Sequence, residues 1–239
     1  FKIHAHWMPN LYGSSPAKDI EDFGKIFADP DFRPDELKIY PCSLVETAEL
    51  MSYYESGNWR PYSELELIDV VSECMARVPE YCRVTRVVRD IPGTEIVDGS
   101  RVTNLRETIE SGMRARGLDC RDIRAREIRH RQVEPDRLQL KRLEYDTSIG
   151  REVFLQLVTP SDHIAAFLRL SLPRPDEIQI SELADSAMIR EVHVYGLLAS
   201  IGQQSGMRSQ HLGLGRERVG LHEHLPPQGA HRGQTGIHL

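Results

Sequence analysis

The segment FKIHAHWMPNLYGSSPAKDIEDFGKIFADPDFRPDELKIYPC, residues 1–42, decides the fold class. Apolar and polar side chains alternate over residues 1–8, which is typical of a strand. Ser15 is a predicted N-cap with Pro16 at the first helical position, and residues 37–42 have the composition of a second strand. A strand, a helix and a strand in this order predict a βαβ unit with a parallel sheet.

The same order of elements occurs again further along the chain. Ser63 and Glu66 form a predicted capping box ahead of an apolar helix that ends near Pro79. The β-branched sequence RVTRVVRDI, residues 83–91, then predicts a strand. This repetition indicates an α/β fold in which residues 1–98 form the later part of a barrel.

The middle of the chain is basic and carries no strand signal. Residues 99–135 contain a predicted helix from about Thr103 to Arg116, with Gly117 as its C-cap, followed by CRDIRAREIRHR. The chain has a net charge of −6, yet residues 83–142 hold 15 Lys and Arg against 10 Asp and Glu. The sequence therefore predicts a basic segment between two acidic ends.

Forked guanidiniums suit RNA phosphates, so the basic middle predicts an RNA-binding surface. A solvated helix with internal ion pairs explains the arginine-rich run equally well when that run is taken alone. The predicted RNA contacts are Arg83, Arg86, Arg89, Arg121, Arg124, Arg126, Arg129 and Arg131.

A second, mostly antiparallel domain is predicted for residues 136–216. Its strand candidates are 153–158, 164–172 and 188–198, with a turn at Pro160 between the first two. The tail, residues 217–239, shows neither helical nor strand periodicity and resembles an aberrant reading frame.

The sequence QHLGLGR, residues 210–216, follows the strand candidate REVHVYG and is typical of a loop that binds acetyl-CoA. Its glycines leave backbone N–H groups available to the pyrophosphate at the start of a helix. An ordinary glycine-rich turn is the alternative explanation. Glu191, in the preceding strand, is a candidate general base, although a merely structural charge explains it at least as well.

Several classes of protein are disfavoured by composition. No apolar run approaches the roughly 20 residues that a membrane-spanning helix requires. The four cysteines are far apart in sequence and form no CxxC pair, which predicts idle cytosolic thiols in a cytoplasmic protein. His4 and His6 share a strand face, but no third ligand is near in sequence, so no metal site is predicted.

The chain resembles the Elongator catalytic-subunit family almost continuously from Phe1 to about Arg216. The matching stretches include FKIHAHWMPNLYGSSPAKD, DPDFRPDELKIYP, RVTRVVRDIP, CRDIRAREI, and REVHVYG followed by QHLGLG. The resemblance implies the C-terminal part of a radical-SAM TIM-like barrel followed by an incomplete α+β GNAT-like acetyltransferase domain. It also implies tRNA as partner and acetyl-CoA, SAM and a 4Fe-4S cluster as cofactors, with C5 of the wobble uridine as the reacting atom.

Carried over by the resemblance and by the glycine-loop motif, the acetyl-CoA contacts fall on one strand and one loop. They are Glu191, Val192, His193, Val194, Gln210, Gly213, Leu214, Gly215 and Arg216. The cysteine triad for the cluster belongs to a front part of the barrel that is not expected in this chain. Asp122 and Ala125 stand where some relatives have cysteines, so no zinc is expected.

Three functions remain open from the sequence. The first is a tRNA carboxymethyluridine synthase, expected to be inactive as this fragment. The others are a protein lysine acetyltransferase and a non-catalytic tRNA-binding remnant. The basic middle favours RNA over a protein substrate. Expected partners are tRNA and a second copy of the chain or Elongator-type subunits, with no membrane.

Overall fold

A computed structural model describes residues 1–196 except 89–90, 103, 130, 132, 178–179 and 181–185. The predicted loop at 210–216 and the tail at 217–239 lie outside the described residues. The chain divides into two compact units, Lys2–Ala125 and the residues from Arg126 onward together with Phe1. Within the described residues, no helix combines the length and apolar character needed to cross a membrane.

The first unit is an α/β structure. Its elements are β1 (His4–Trp7), α1 (Pro16–Ala28), β2 (Glu36–Ile39), β3 (Leu44–Val45), α2 (Leu50–Glu55), α3 (Glu64–Ala76), β4 (Arg83–Arg86), β5 (Ile96–Asp98), α4 (Leu105–Ala115) and α5 (Ile123–Arg126).

The predicted parallel sheet is confirmed, with the strand order β1-β2-β4. Leu37 at its centre pairs with Ala5 on one side and Val84 on the other, and both Leu37 and Val84 are fully buried. α1 packs on α3, and α3 packs on α4. The core of the unit therefore lies between the sheet and these helices, as expected where helices connect parallel strands.

Both predicted helix starts in the first unit are confirmed. The Ser15 hydroxyl accepts a hydrogen bond from the Lys18 N–H, and Pro16 occupies the first turn of α1. Ser63 and Glu66 form the complete capping box at the start of α3. Hydrogen bonds from Arg60 and from Ser63 lower the pKa of Glu66 to about 2.

Replacing Ser63 with alanine should lower the free energy of unfolding by about 1 kcal/mol, because the Glu66 N–H loses its acceptor. Both tryptophans, Trp7 and Trp59, lie in the first unit, so their fluorescence during urea unfolding reports this unit alone. Because the pKa of Glu66 is depressed, its contribution to stability is complete above about pH 4.5 and lost as the pH falls toward 2. If the Ser63→Ala variant unfolds at the same urea midpoint as the native chain, the cap does not contribute to stability.

The second unit contains a four-stranded antiparallel sheet, which confirms the predicted strand arrangement. Its strands are β6 (Gln139–Thr147), β7 (Gly150–Val158), β8 (Ile164–Pro173) and β9 (Met188–Val194), in that spatial order. The predicted turn near Pro160 is present, with the Thr159 N–H donating to the His163 carbonyl and Asp162 at φ +60°. At Gly150 an added Cβ would lie 2.5 Å from the Leu172 carbonyl oxygen, so only glycine fits there.

The two faces of this sheet differ in chemistry. Val153, Leu155, Leu168 and Leu170 form an apolar cluster on one face. The alternate positions of β7 and β8 place polar, charged and aromatic side chains on the other face, and these are also buried: Glu152, Phe154, Gln156, Phe167 and Arg169. Alternation along each strand explains the separation.

Several element boundaries differ from the sequence predictions. The strand predicted at 83–91 ends at Arg86, and the described part of the strand predicted at 188–198 ends at Val194. β6 was not predicted, because as an outer strand it exposes much of its length and carries few apolar residues. The short antiparallel pair of β3 and β5 was also missed, because two- and three-residue strands carry no readable periodicity.

Candidate functional sites in the two units

The face of the parallel sheet opposite the core is polar. His4 pairs in register with Glu36, and His6 pairs with Lys38. The Glu36 carboxylate lies 2.7 Å from the Lys2 ammonium and 3.3 Å from the His4 ring, and the His6 ring makes an edge contact with Tyr40 at 5.3 Å. Burial lowers the pKa of His4, although Glu36 acts in the opposite direction. These groups form a hydrogen-bonding surface on the sheet.

A buried carboxylate joins the loop after β1 to the loop before α3. Asp19 accepts hydrogen bonds from the Asn10 N–H at 2.7 Å, from the Ser14 hydroxyl and from the Tyr62 hydroxyl. Asn10, at φ +67°, also accepts the Tyr62 N–H, and its carbonyl accepts the Trp59 indole N–H. Functional groups in α/β folds gather at the carboxyl ends of parallel strands, and this network fixes the loops there.

The arginine-rich segment is organised around Asp122, which is fully buried. Its carboxylate accepts the Val84 N–H at 2.9 Å and the Arg106 guanidinium at 3.0 Å. The N–H groups of Arg124 and Ala125 also donate to it, as at a helix N-cap. Burial opposes the charge of Arg106, but Asp122 and Glu110 together raise the pKa of that guanidinium. Asp122 therefore attaches the arginine-rich segment to β4.

Several arginines predicted to bind RNA form contacts with other groups of the protein. Arg121 pairs with the buried Glu80, and Arg124 donates to the Thr85 carbonyl. Arg126 is buried and pairs with Asp162 at 3.0 Å. Part of the sequence signal for RNA thus reflects internal pairing, the alternative considered for this run.

The remaining predicted RNA contacts divide into two groups. Arg83 and Arg86 lie on β4, where they pair in register with Glu36 and Lys38 of β2. Arg129 and Arg131 are exposed in the second unit. Arg89 lies outside the described residues.

The second face of the second unit's sheet contains a buried arginine that packs against two aromatic rings. The Arg169 guanidinium carbon lies 4.9 Å from the Phe154 ring centre and 5.4 Å from that of Phe167. Its Nε donates to Glu191 at 2.9 Å, across the β8–β9 pair. A second buried ion pair, Glu152 with Arg190 at 2.9 Å, lies on the same sheet. Arg169 fixes the position of the Glu191 carboxylate.

The residues predicted to contact acetyl-CoA lie partly within the structure. Glu191, Val192, His193 and Val194 form the end of β9, which is the outer strand of the described sheet. The His193 ring stacks on Phe167 at 5.7 Å and lies 4.4 Å from the Tyr195 ring. Gln210, Gly213, Leu214, Gly215 and Arg216 are outside the described residues. The structure therefore contains one half of the predicted site.

The cysteines do not fit a metal cluster. Cys74 and Cys82 are buried, and Cys42 and Cys120 are half-buried. Burial and the neighbouring Asp122 raise the pKa of Cys120, whereas a metal ligand needs the thiolate. Within the described residues, no three His, Cys, Asp or Glu side chains are grouped so that they could hold a metal ion.

Three buried groups were missed in the sequence. Arg169 is the one charge inside the apolar run IAAFLRLSL, and an inward position in a buried strand would have identified it. Asp122 precedes Ile123 at the start of a short helix, so its N-cap signal was readable. Asp19 carried no local signal, because its partners are supplied by loops distant in sequence.

Comparisons with known proteins agree with this fold. The Radical_SAM C-terminal domain family matches residues 34–115. The tRNA uridine(34) acetyltransferase of Dehalococcoides mccartyi is 38% identical over 221 residues, 90% of this chain and 48% of the relative. Elongator complex protein 3 of Homo sapiens is 34% identical over 235 residues, 94% of this chain and 43% of the relative. The chain spans less than half the length of these two relatives.

A solved structure is also similar. The archaeal Methanocaldococcus infernus Elp3 with an N-terminal deletion matches with a TM-score of 0.78 and 36% identity, covering 93% of this chain and 55% of that one. The fold is thus the C-terminal part of a radical-SAM domain followed by a GNAT-like α+β sheet. The chain belongs to the Elongator catalytic-subunit family, as the sequence resemblance predicted.

Proposed function

We propose that this chain is part of an enzyme that modifies the wobble uridine of tRNA. The observation that carries this proposal is its 38% identity, over 90% of its length, to relatives named tRNA uridine(34) acetyltransferase. The 36% identity to an archaeal Elp3 of the same fold agrees with it. No finding favours a protein lysine substrate.

The proposal divides the chain into functional segments. Residues 1–98 belong to the radical-SAM part, 99–135 to a basic linker, and 136–216 to the acetyltransferase part, with 217–239 as a tail. The division between the two compact units falls inside the proposed linker. SAM and a 4Fe-4S cluster are the cofactors that family membership implies.

Acetyl-CoA would lie along β9 in this proposal. Glu191–Val194 offer main-chain groups to the pantetheine arm, and Gln210–Arg216 offer N–H groups to the pyrophosphate. One Glu191 oxygen already accepts the Arg169 guanidinium. Because its carboxylate is held in this ion pair, Glu191 is better suited to an orienting role than to a role in proton transfer.

Binding of tRNA would use the exposed cations. Arg129 and Arg131 are exposed, whereas Arg124 is half-buried and Arg126 is buried. Phosphate contacts release counterions, so affinity falls as salt rises. We therefore assign phosphate binding first to Arg129 and Arg131, and then to Arg83 and Arg86.

The test is binding of an unmodified tRNA anticodon stem-loop between 50 and 200 mM salt, followed by fluorescence anisotropy. Replacing both Arg129 and Arg131 with alanine should weaken binding and reduce the slope of log affinity against log salt by about 1.4, since each single-strand phosphate contact contributes about 0.7. The double variant Arg151→Ala with Arg174→Ala removes the same charge elsewhere in the second unit. Equal slopes for the two double variants would contradict the assignment.

A further inference from the structure

A cavity of about 690 Å³ opens in the first unit beside the start of α3. Tyr62, Ser63 and Glu64 line one side, and the segment from Val97 to Val102 lines the other. Its position follows from the strand order. Tyr62 binds Asn10 in the loop after β1, and the opposite wall begins in β5, which follows β4 along the chain. The cavity thus borders loops at the carboxyl ends of the parallel strands, where α/β folds bind ligands.

The geometry of the wall is fixed by main-chain contacts. Gly99 has φ +116°, and a Cβ there would lie 3.3 Å from the Ser43 Cα, so the backbone approaches β3 closely. The Arg101 guanidinium donates to the carbonyls of Ile96 and Val97. The Asp98 carboxylate accepts the Gly99 N–H at 2.8 Å and the Tyr54 hydroxyl. These contacts hold Asp98 in place while a carboxylate retains further acceptor sites.

The polar lining favours a neutral ligand with hydroxyl groups. Glu64 and Asp98 are hydrogen-bond acceptors, and the hydroxyls of Ser63 and Ser100 can both donate and accept. These two carboxylates outnumber the one cation among the described lining residues, Arg101, whose guanidinium already donates to the Ile96 and Val97 carbonyls, so charge repulsion disfavours a phosphate group. Adjacent hydroxyls of a ribose are donors of the kind that carboxylates bind.

The apolar lining supplies the complementary contact. Val97 and Val102 offer branched aliphatic side chains to the flat face of a base. A volume of about 690 Å³ lies within the range of about 300–1,000 Å³ that is usual for small-molecule sites. Proteins that recognise RNA by sequence commonly bind unstacked single nucleosides, and contacts to the 2′-OH distinguish RNA from DNA.

We propose that this cavity binds a ribonucleoside, with Glu64 and Asp98 accepting the ribose hydroxyls and Val97 and Val102 contacting the base. The source of the nucleoside, an unstacked residue of an RNA loop, rests on the proposed function. A free nucleoside offers the same chemistry. The phosphates on either side of an RNA nucleoside would remain outside the cavity, away from the carboxylates of Glu64 and Asp98.

The experiment uses the full 239-residue chain with uridine and 2′-deoxyuridine as probes, followed by saturation-transfer NMR. Uridine should bind at least fivefold more tightly than 2′-deoxyuridine. Asp98→Asn combined with Glu64→Gln should weaken uridine binding at least tenfold, and Val102→Trp should abolish it by filling the cavity. Leu65→Trp is the matched control, because Leu65 is 76% exposed on the same helix and does not line the cavity.

Unchanged far-UV circular dichroism and urea midpoints establish that each variant is folded, since Val102→Trp and Leu65→Trp each add a fluorophore. Equal binding of the two nucleosides, or full uridine binding by a folded Val102→Trp variant, would overturn the proposal. The anticodon stem-loop assay separates this inference from the proposed function. Uridine binding without stem-loop binding supports the cavity as a site for free nucleosides and counts against the tRNA function, whereas stem-loop binding that Val102→Trp leaves unchanged counts against the cavity alone.

Discussion

Replacing Asp122 with alanine should lower the free energy of unfolding of the first unit by about 3–5 kcal/mol, the usual cost of removing one partner from a buried ion pair. The Arg106 side chain is only 13% exposed and would lose the carboxylate that lies 3.0 Å away. The Val84 N–H would also lose its acceptor, and so would two N–H groups at the start of α5. Tryptophan fluorescence during urea unfolding measures the change.

A matched control exists for Asp122. Asp69 also pairs with an arginine, Arg116, but its side chain is 68% exposed. Asp69→Ala should therefore change stability by no more than about 1 kcal/mol, as exposed ion pairs do. If the two alanine variants unfold at the same urea concentration, Asp122 does not organise the segment. Asp122→Asn should retain part of the stability, because its amide oxygen can still accept one N–H.

The second large effect is expected at Arg169. Its replacement with alanine removes the cation that pairs with Glu191 and leaves a gap beside the Phe154 and Phe167 rings, on which the guanidinium packs. These losses should lower the free energy of unfolding of the second unit by about 3–5 kcal/mol. Neither tryptophan lies in this unit, so hydrogen exchange of β7 and β8 amides is the appropriate measurement.

The control for Arg169 is Arg151, which pairs with Glu144 at the surface and is 53% exposed. Arg151→Ala should alter amide protection by less than about 1 kcal/mol. Arg169→Met should give an intermediate loss, because methionine keeps contact with the rings but carries no charge. Protection that is equal in Arg169→Ala and the native chain would show that the buried pair contributes nothing.

Local signals predicted much of the first unit. The caps at Ser15 and Ser63 and the alternation near β1 depend on residues close in sequence, and the structure contains them. The outer strand β6 and the short pair of β3 and β5 were not readable, since their stability comes from partners rather than from propensity. The Asp19 network was hidden for the same reason, because Asp19 and Tyr62 are 43 residues apart.

The candidate sites were less predictable than the fold. Arginine spacing near Arg121 indicated a basic surface, but it could not distinguish cations that face solvent from those that bind Glu80 or Asp162. That distinction depends on burial, which composition does not report. The strand carrying Glu191 was identified correctly from its sequence, whereas its partner Arg169 was not.

The cross-strand pair of Arg169 and Glu191 also constrains how the sequence can change over evolutionary time. A substitution at either position alone gives an intermediate protein in which one charge of this pair, next to Phe154 and Phe167, has lost its partner. Homologues should therefore exchange both residues together, so that positions 169 and 191 covary while the exposed pair at 144 and 151 drifts independently.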